Sequence, residues 1–156
     1  MIVVIGMDPG PRPGLVMLPY TGATLLQVYV VQCTANCLLD ILDQWLSGSP
    51  STTEVYFGVE RYVHSRGGGG SPGARTRDQV GSAITLAQTH GAHTVQRNAS
   101  QVKAWATDNR LETAGVLDHV KGMTHARDAA RHALFTACHE ANIPDPLSRK
   151  ARRTDA

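Results

Sequence analysis

Two short runs of this chain are apolar on both faces and each stops at an acidic residue. Ile2-Val3-Val4-Ile5-Gly6-Met7 ends at Asp8, and Val55-Tyr56-Phe57-Gly58-Val59 ends at Glu60. Runs this short and this continuous describe central strands of a sheet covered on both sides. Period-2 alternation puts Gly6 on the face of Asp8 and Gly58 on the face of Glu60, and a glycine below each carboxylate leaves room for another backbone to come close. The segment His125-Ala126-Arg127-Asp128-Ala129-Ala130-Arg131-His132 is the natural candidate. Its alanines allow close packing on a sheet, and His125, Asp128 and His132 fall within about 60° of one another on a helix.

Carboxylates brought together this way repel, and divalent cations turn the repulsion into coordination. Asp8, Glu60, His125 and Asp128 are therefore the candidate catalytic and metal-ligating residues. Blander readings stand beside this one. Arg61 or Arg12 can serve the strand carboxylates as ion-pair partners, and Asp128 can pair with Arg131 or His132 on a solvated helix face. Asp118 is the reserve acid.

At 156 residues the chain is about one domain, large enough to bury a core without staples. It has no long apolar run and no basic-flanked leader, which predicts a cytoplasmic protein. Cys33, Cys37 and Cys138 are an odd number without zinc-type pairing, so they are expected to be reduced packing residues. The net charge of +2 says little, but its distribution says more. Arg61, Arg66, Arg75 and Arg77 occupy a stretch without acids, and Arg149, Lys150, Arg152 and Arg153 crowd the tail. Such basic segments suit phosphate backbones.

The pattern predicts strands near 2–8, 14–20 and 25–32, a helix near 35–47 and a strand at 54–60. A helix near 76–90, a strand near 93–97, a short helix near 99–106, a partly helical stretch at 107–123 and a last helix near 124–141 follow. Residues 66–75, with four consecutive glycines, read as a flexible arm. This order gives an α/β fold, a mixed five-stranded sheet with helices on both faces, compatible with a ribonuclease-H-like core.

The residues also resemble a family. IGMDPGPRPG is similar to the first strand of RuvC-type Holliday junction resolvases, GVERYV to their strand-end glutamate followed by a wedge residue, Gln101-Val102-Lys103 to a Gln-Val-Lys segment after the fifth strand, and HARDAARHAL to the closing helix. The four motifs occur in the family's order over about residues 2–141. Many members carry Asp where His125 stands. The arginine-rich sequence resembles the resolvases of mycobacterial phages, which would place it in a host cytoplasm.

The resemblance implies a nuclease domain at 1–145, a basic tail at 146–156, and a homodimer acting on branched DNA. It implies two divalent ions, Mg²⁺ in the first place, bridged by Asp8, with Glu60 holding one and Asp128 the other. His125 would be a ligand or would orient the attacking water, and an imidazole ligand predicts Mn²⁺ support as well. Arg61, Tyr62, Arg66, Arg75, Arg77 and Lys103 would contact DNA, with Tyr62 or Val63 as the wedge. The helix near 76–90 would form the dimer, using Val80, Ile84, Leu86 and Ala87 for both a core face and a partner face. Other classes remain open: a ribonuclease H acting on RNA:DNA hybrids, a non-catalytic branched-DNA-binding protein, or half of a sugar-kinase or actin-like ATPase, which would need a second half.

Overall fold

The computed structural model describes residues 1–61 and 71–148. Tyr62, Val63, Arg66, the glycine run through residue 70 and the basic tail from Arg149 lie outside the described residues.

One mixed sheet organises the chain. Strand β1 (Ile2–Asp8) lies at its centre, antiparallel to β2 (Gly14–Thr21) and parallel to β5 (Glu54–Glu60), which pairs in parallel with β6 (His93–Arg97). Both apolar runs are buried on two faces, as their composition requires. Val3, Ile5, Met7, Phe57 and Val59 pack under α1 (Leu38–Ser47) and α2 (Ser71–Thr89). Val4, Val16 and Leu18 face the other way, toward α5 (Thr124–His139). Helices α3 (Ala99–Trp105) and α4 (Asp108–Thr113) connect β6 to α5, and a 3-10 turn at Leu117–Val120 lies just before α5. Among the described residues no helix is long and apolar enough to cross a membrane, and all three cysteines are free.

Two expectations need correcting. The segment at 25–32 is two strands, β3 (Thr24–Leu25) and β4 (Tyr29–Gln32), so the sheet has six strands rather than five. Both pair with β2, but the register slips by one between Tyr20↔Leu25 and Met17↔Tyr29. The cause lies on the partner strand. Pro19 accepts from Leu26 N at 2.9 Å on this edge and has no N–H to return, so the ladder breaks there and restarts one residue out of step. Second, α2 begins at Ser71, which puts Arg75 on a helix rather than on an arm. The apolar residues of α2 lie toward the core, Ile84 and Leu86 only partly buried there. Val80, Ala83 and Ala87 are buried and Ile84 and Leu86 pack against them, while Gly81, Ser82, Thr85 and Gln88 are exposed.

α5 lies against the sheet because glycines clear a lane for it. A Cβ on Gly58 would sit 2.0 Å from Thr136 Oγ1, one on Gly6 2.1 Å from the Ala129 carbonyl oxygen, and one on Gly14 2.3 Å from the His125 carbonyl oxygen. The helix therefore crosses from β5 over β1 to β2, and its first turn arrives beside the end of β1. Gln32 of β4 caps that turn, its Oε1 accepting from His125 N at 3.1 Å and Ala126 N at 3.3 Å.

His132 turns into this interface. Burial holds its pKa down at about 4, against a partial upward pull from Asp128, starting from an ordinary 6.5. Below pH 6.5 the unfolded chain takes up a proton that the folded one refuses until about pH 4, so this residue costs stability as pH falls through that window. The loss reaches roughly 3 kcal/mol. Glu60, discussed below, works in the opposite direction. The expected observation is therefore a difference: urea midpoints of the wild type should fall relative to His132→Leu between pH 7.5 and pH 4.5, and parallel curves would exclude a buried neutral His132.

Candidate functional site

Asp8 and Glu60 close parallel neighbouring strands, and both face the α5 side of the sheet, two residues beyond Gly6 and Gly58. Asp8 is buried, and its Oδ2 lies 2.7 Å from Nδ1 of His125. Gly14 stands opposite Asp8 in the β1–β2 ladder, so the residue that admits the start of α5 is paired with the one His125 touches. The loop after Asp8 is clamped from the opposite side. Gln79 of α2 accepts from Gly10 N at 2.9 Å and donates to Gly10 O at 3.3 Å, fixing a glycine whose φ of 148° suits no other residue.

The carboxyl groups crowd one another. Burial raises Asp8, and Asp128 adds to the rise, against hydrogen bonds from His125 and Glu60 that lower it. Burial and the neighbouring Asp8 push Glu60 up to about 7, with Lys103 pulling down and Asp128 up. Carboxyl groups whose charged forms are disfavoured in this way are groups that a cation would relieve.

Asp128 is held differently. Its Oδ2 lies 2.8 Å from Lys103 Nζ, and its Oδ1 lies 2.6 Å from a terminal nitrogen of Arg131. The pairing with Arg131 that the helix spacing allowed is thus formed, while His132 goes into the core. Among the described residues no three His, Cys, Asp or Glu side chains are arranged to enclose an ion, because Asp8 is turned to His125 and Asp128 to its two cations. The donors nonetheless fit a hard divalent cation in kind: three carboxylates and an imidazole in a crowded, partly dehydrated place.

Two clefts flank the carboxylates. One, of about 660 Å³, is lined by Asp128, Lys103, Lys121, Arg127 and Arg131, with the reserve acid Asp118 on its wall. The other, of about 540 Å³, is lined by Glu60, Arg61, Thr76, Asn98 and Ser100. Arg61 is exposed there, and Arg75 and Arg77 are exposed on α2. The structure thus brings together Asp8, Glu60, His125, Asp128 and Lys103 and sets Arg61 at their edge. Gln32, Gln79, Gly14 and Asp108 carry no local sequence signal for their parts, which depend on contacts far away in sequence.

No protein-family model matches the chain, and no curated protein sequence matches it. Its fold does match solved structures. Thermus thermophilus RuvC in complex with a Holliday junction substrate is 21% identical with a TM-score of 0.61, over 93% of this chain and 98% of that one. A second Thermus thermophilus RuvC structure is 20% identical with a TM-score of 0.57, over 92% and 97%. The chain therefore has the RuvC-type, ribonuclease-H-like fold.

Proposed function

We propose that this protein is a metal-dependent, structure-selective DNA endonuclease that resolves four-way junctions by paired phosphodiester hydrolysis. The observation that carries the reading is the meeting of Asp8, Glu60, His125 and Asp128, from three separate elements, at the carboxyl ends of β1 and β5 in a RuvC-type fold. Asp8 and Glu60 from the sheet and Asp128 with His125 from α5 would hold Mg²⁺ or Mn²⁺. Bound there, divalent ions supply a nucleophile at neutral pH and relief of charge on the departing 3′-oxygen.

The remaining work falls to the chain. Gly14 and Gln32 set His125 against Asp8, and Gln79 keeps the loop after Asp8 in place. Lys103, once released from Asp128, and Arg61 across the site can hold phosphates on either side of the scissile bond. Arg75 and Arg77 extend this along α2, as positioning contacts that carry no sequence information. Resolution needs two opposed nicks, which a two-fold homodimer supplies. Any pairing through α2 would use the exposed Gly81, Ser82 and Thr85 together with the parts of Ile84 and Leu86 that the core leaves uncovered.

One observation favours a non-catalytic junction-binding protein: Asp8 and Asp128 already have side-chain partners. A nicking assay on a four-way junction, a flap, a duplex and an RNA:DNA hybrid, with Mg²⁺, Mn²⁺ or chelator, separates the readings. Paired cuts in the junction that vanish with chelator are expected. Binding without cleavage would leave the non-catalytic reading, and preference for the hybrid would indicate a ribonuclease H.

A further inference from the structure

We propose that Arg131, anchored by Asp108, is the positioning residue for Asp128: it fixes one carboxylate oxygen and leaves the other to be exchanged between Lys103 and a divalent cation. The inference rests on reading Asp8, Glu60, His125 and Asp128 as a cation site.

The two cations on Asp128 differ in kind. Arg131 reaches two carboxylates at once, one terminal nitrogen 2.6 Å from Asp128 Oδ1 and the other 2.9 Å from Asp108 Oδ1. Its side chain is 18% exposed. A guanidinium held by two acids cannot swing away without giving up both charge-assisted bonds. Lys103, 47% exposed, brings a single ammonium to Oδ2 at 2.8 Å on a flexible stem. An arriving cation therefore displaces Lys103 and not Arg131.

Asp108 is fixed in turn. It opens α4 behind the cap of Thr107, and Arg127, one helical turn before Arg131 on α5, grips both of its oxygens. Two arginines four residues apart thus fasten α5 to the start of α4. Arg131 does this while its Nε stays buried and unpaired. A guanidinium settled only by the need to satisfy its donors would not leave one buried and unmet. Its direction is set by the two carboxylates.

Two variants test the assignment. Arg131→Lys keeps the charge and removes the fork. Asp108→Asn alters a half-exposed side chain at the far end of the network and leaves every candidate ligand in place. Mn²⁺ would be titrated calorimetrically into DNA-free protein, and single-turnover cleavage of a four-way junction measured alongside junction affinity without metal. Each variant is expected to weaken Mn²⁺ binding and slow cleavage by about 10- to 100-fold, with junction affinity unchanged. Because Asp108 acts through Arg131, the double variant should be no worse than the more impaired single one. Wild-type Mn²⁺ affinity in both variants, losses that multiply in the double variant, or losses that merely track lower urea midpoints would each overturn the assignment. A wild type that takes up no Mn²⁺ and cuts nothing would instead remove the cation site on which it rests.

Discussion

Asp8→Asn and Glu60→Gln are each expected to lower junction cleavage by on the order of 10³-fold or more, about 4 kcal/mol of barrier, while junction affinity stays within a few-fold. Each change keeps the shape of the side chain and removes the charge a cation would need. The arginines and lysine proposed to meet phosphates are untouched. Stability gives the sharper discrimination. Asp8 is buried and its carboxyl is raised first of all by that burial, so the folded, metal-free protein bears a cost for the charge that an amide would not. Asp8→Asn should therefore be at least as resistant to urea as the wild type when no metal is present, the usual signature of a residue kept for function. If the pair with His125 at 2.7 Å were structural, removing the charge would lower the urea midpoint and leave cleavage near the wild-type rate. Activity and unfolding measured on the same preparation decide between the two.

The strands that carry these residues were legible because burial on both faces writes itself into a local apolar run. Residues 2–8 and 54–60 are strands as expected, and the last helix starts at Thr124 as its alanine-rich pattern suggested; the strand at 93–97 also forms as expected, though it is polar and only partly buried. Elements fixed by a distant partner were not legible. Nothing within residues 24–32 announces that the strand divides, since the missing donor belongs to Pro19 on β2. The start of α2 was concealed by the glycine run before it, although Ser71-Pro72 is itself a helix-opening dipeptide. In the site, the pairing of Asp128 with Arg131 follows from i, i+3 spacing. The anchor at Asp108, twenty-three residues from Arg131, depends on how α4 is laid beside α5. Gln32 and Gln79 are invisible for the same reason: each supports the site across a gap in sequence that no local pattern spans.

The glycines beneath α5 carry the second large effect, and two of them should respond differently to the same added methyl. At Gly6 a Cβ would meet backbone, the Ala129 carbonyl oxygen at 2.1 Å and the Ala133 nitrogen at 2.4 Å. Only withdrawal of the whole helix relieves that contact. Gly6→Ala is therefore expected to cost at least ~3 kcal/mol, at the upper end of overpacking effects, and to resist rescue by changing neighbouring side chains. At Gly58 the closest atom is Thr136 Oγ1 at 2.0 Å, with Thr136 Cβ at 3.1 Å and the His132 carbonyl oxygen at 3.2 Å behind it. The obstacle there is mainly one side-chain atom. Gly58→Ala alone should be strongly destabilising, while Gly58→Ala with Thr136→Ala should recover most of the loss, a coupling of about 1–3 kcal/mol typical of residues in direct contact. Urea unfolding of the four proteins measures this. Equal, unrescued losses at both positions would mean that α5 moves as a rigid body away from any added atom, and near-wild-type stability for Gly6→Ala would mean that the helix does not lie against β1. A helix displaced from Gly6 also takes His125 and Asp128 away from Asp8 and Glu60, so Gly6→Ala should lose cleavage even at temperatures where it remains folded.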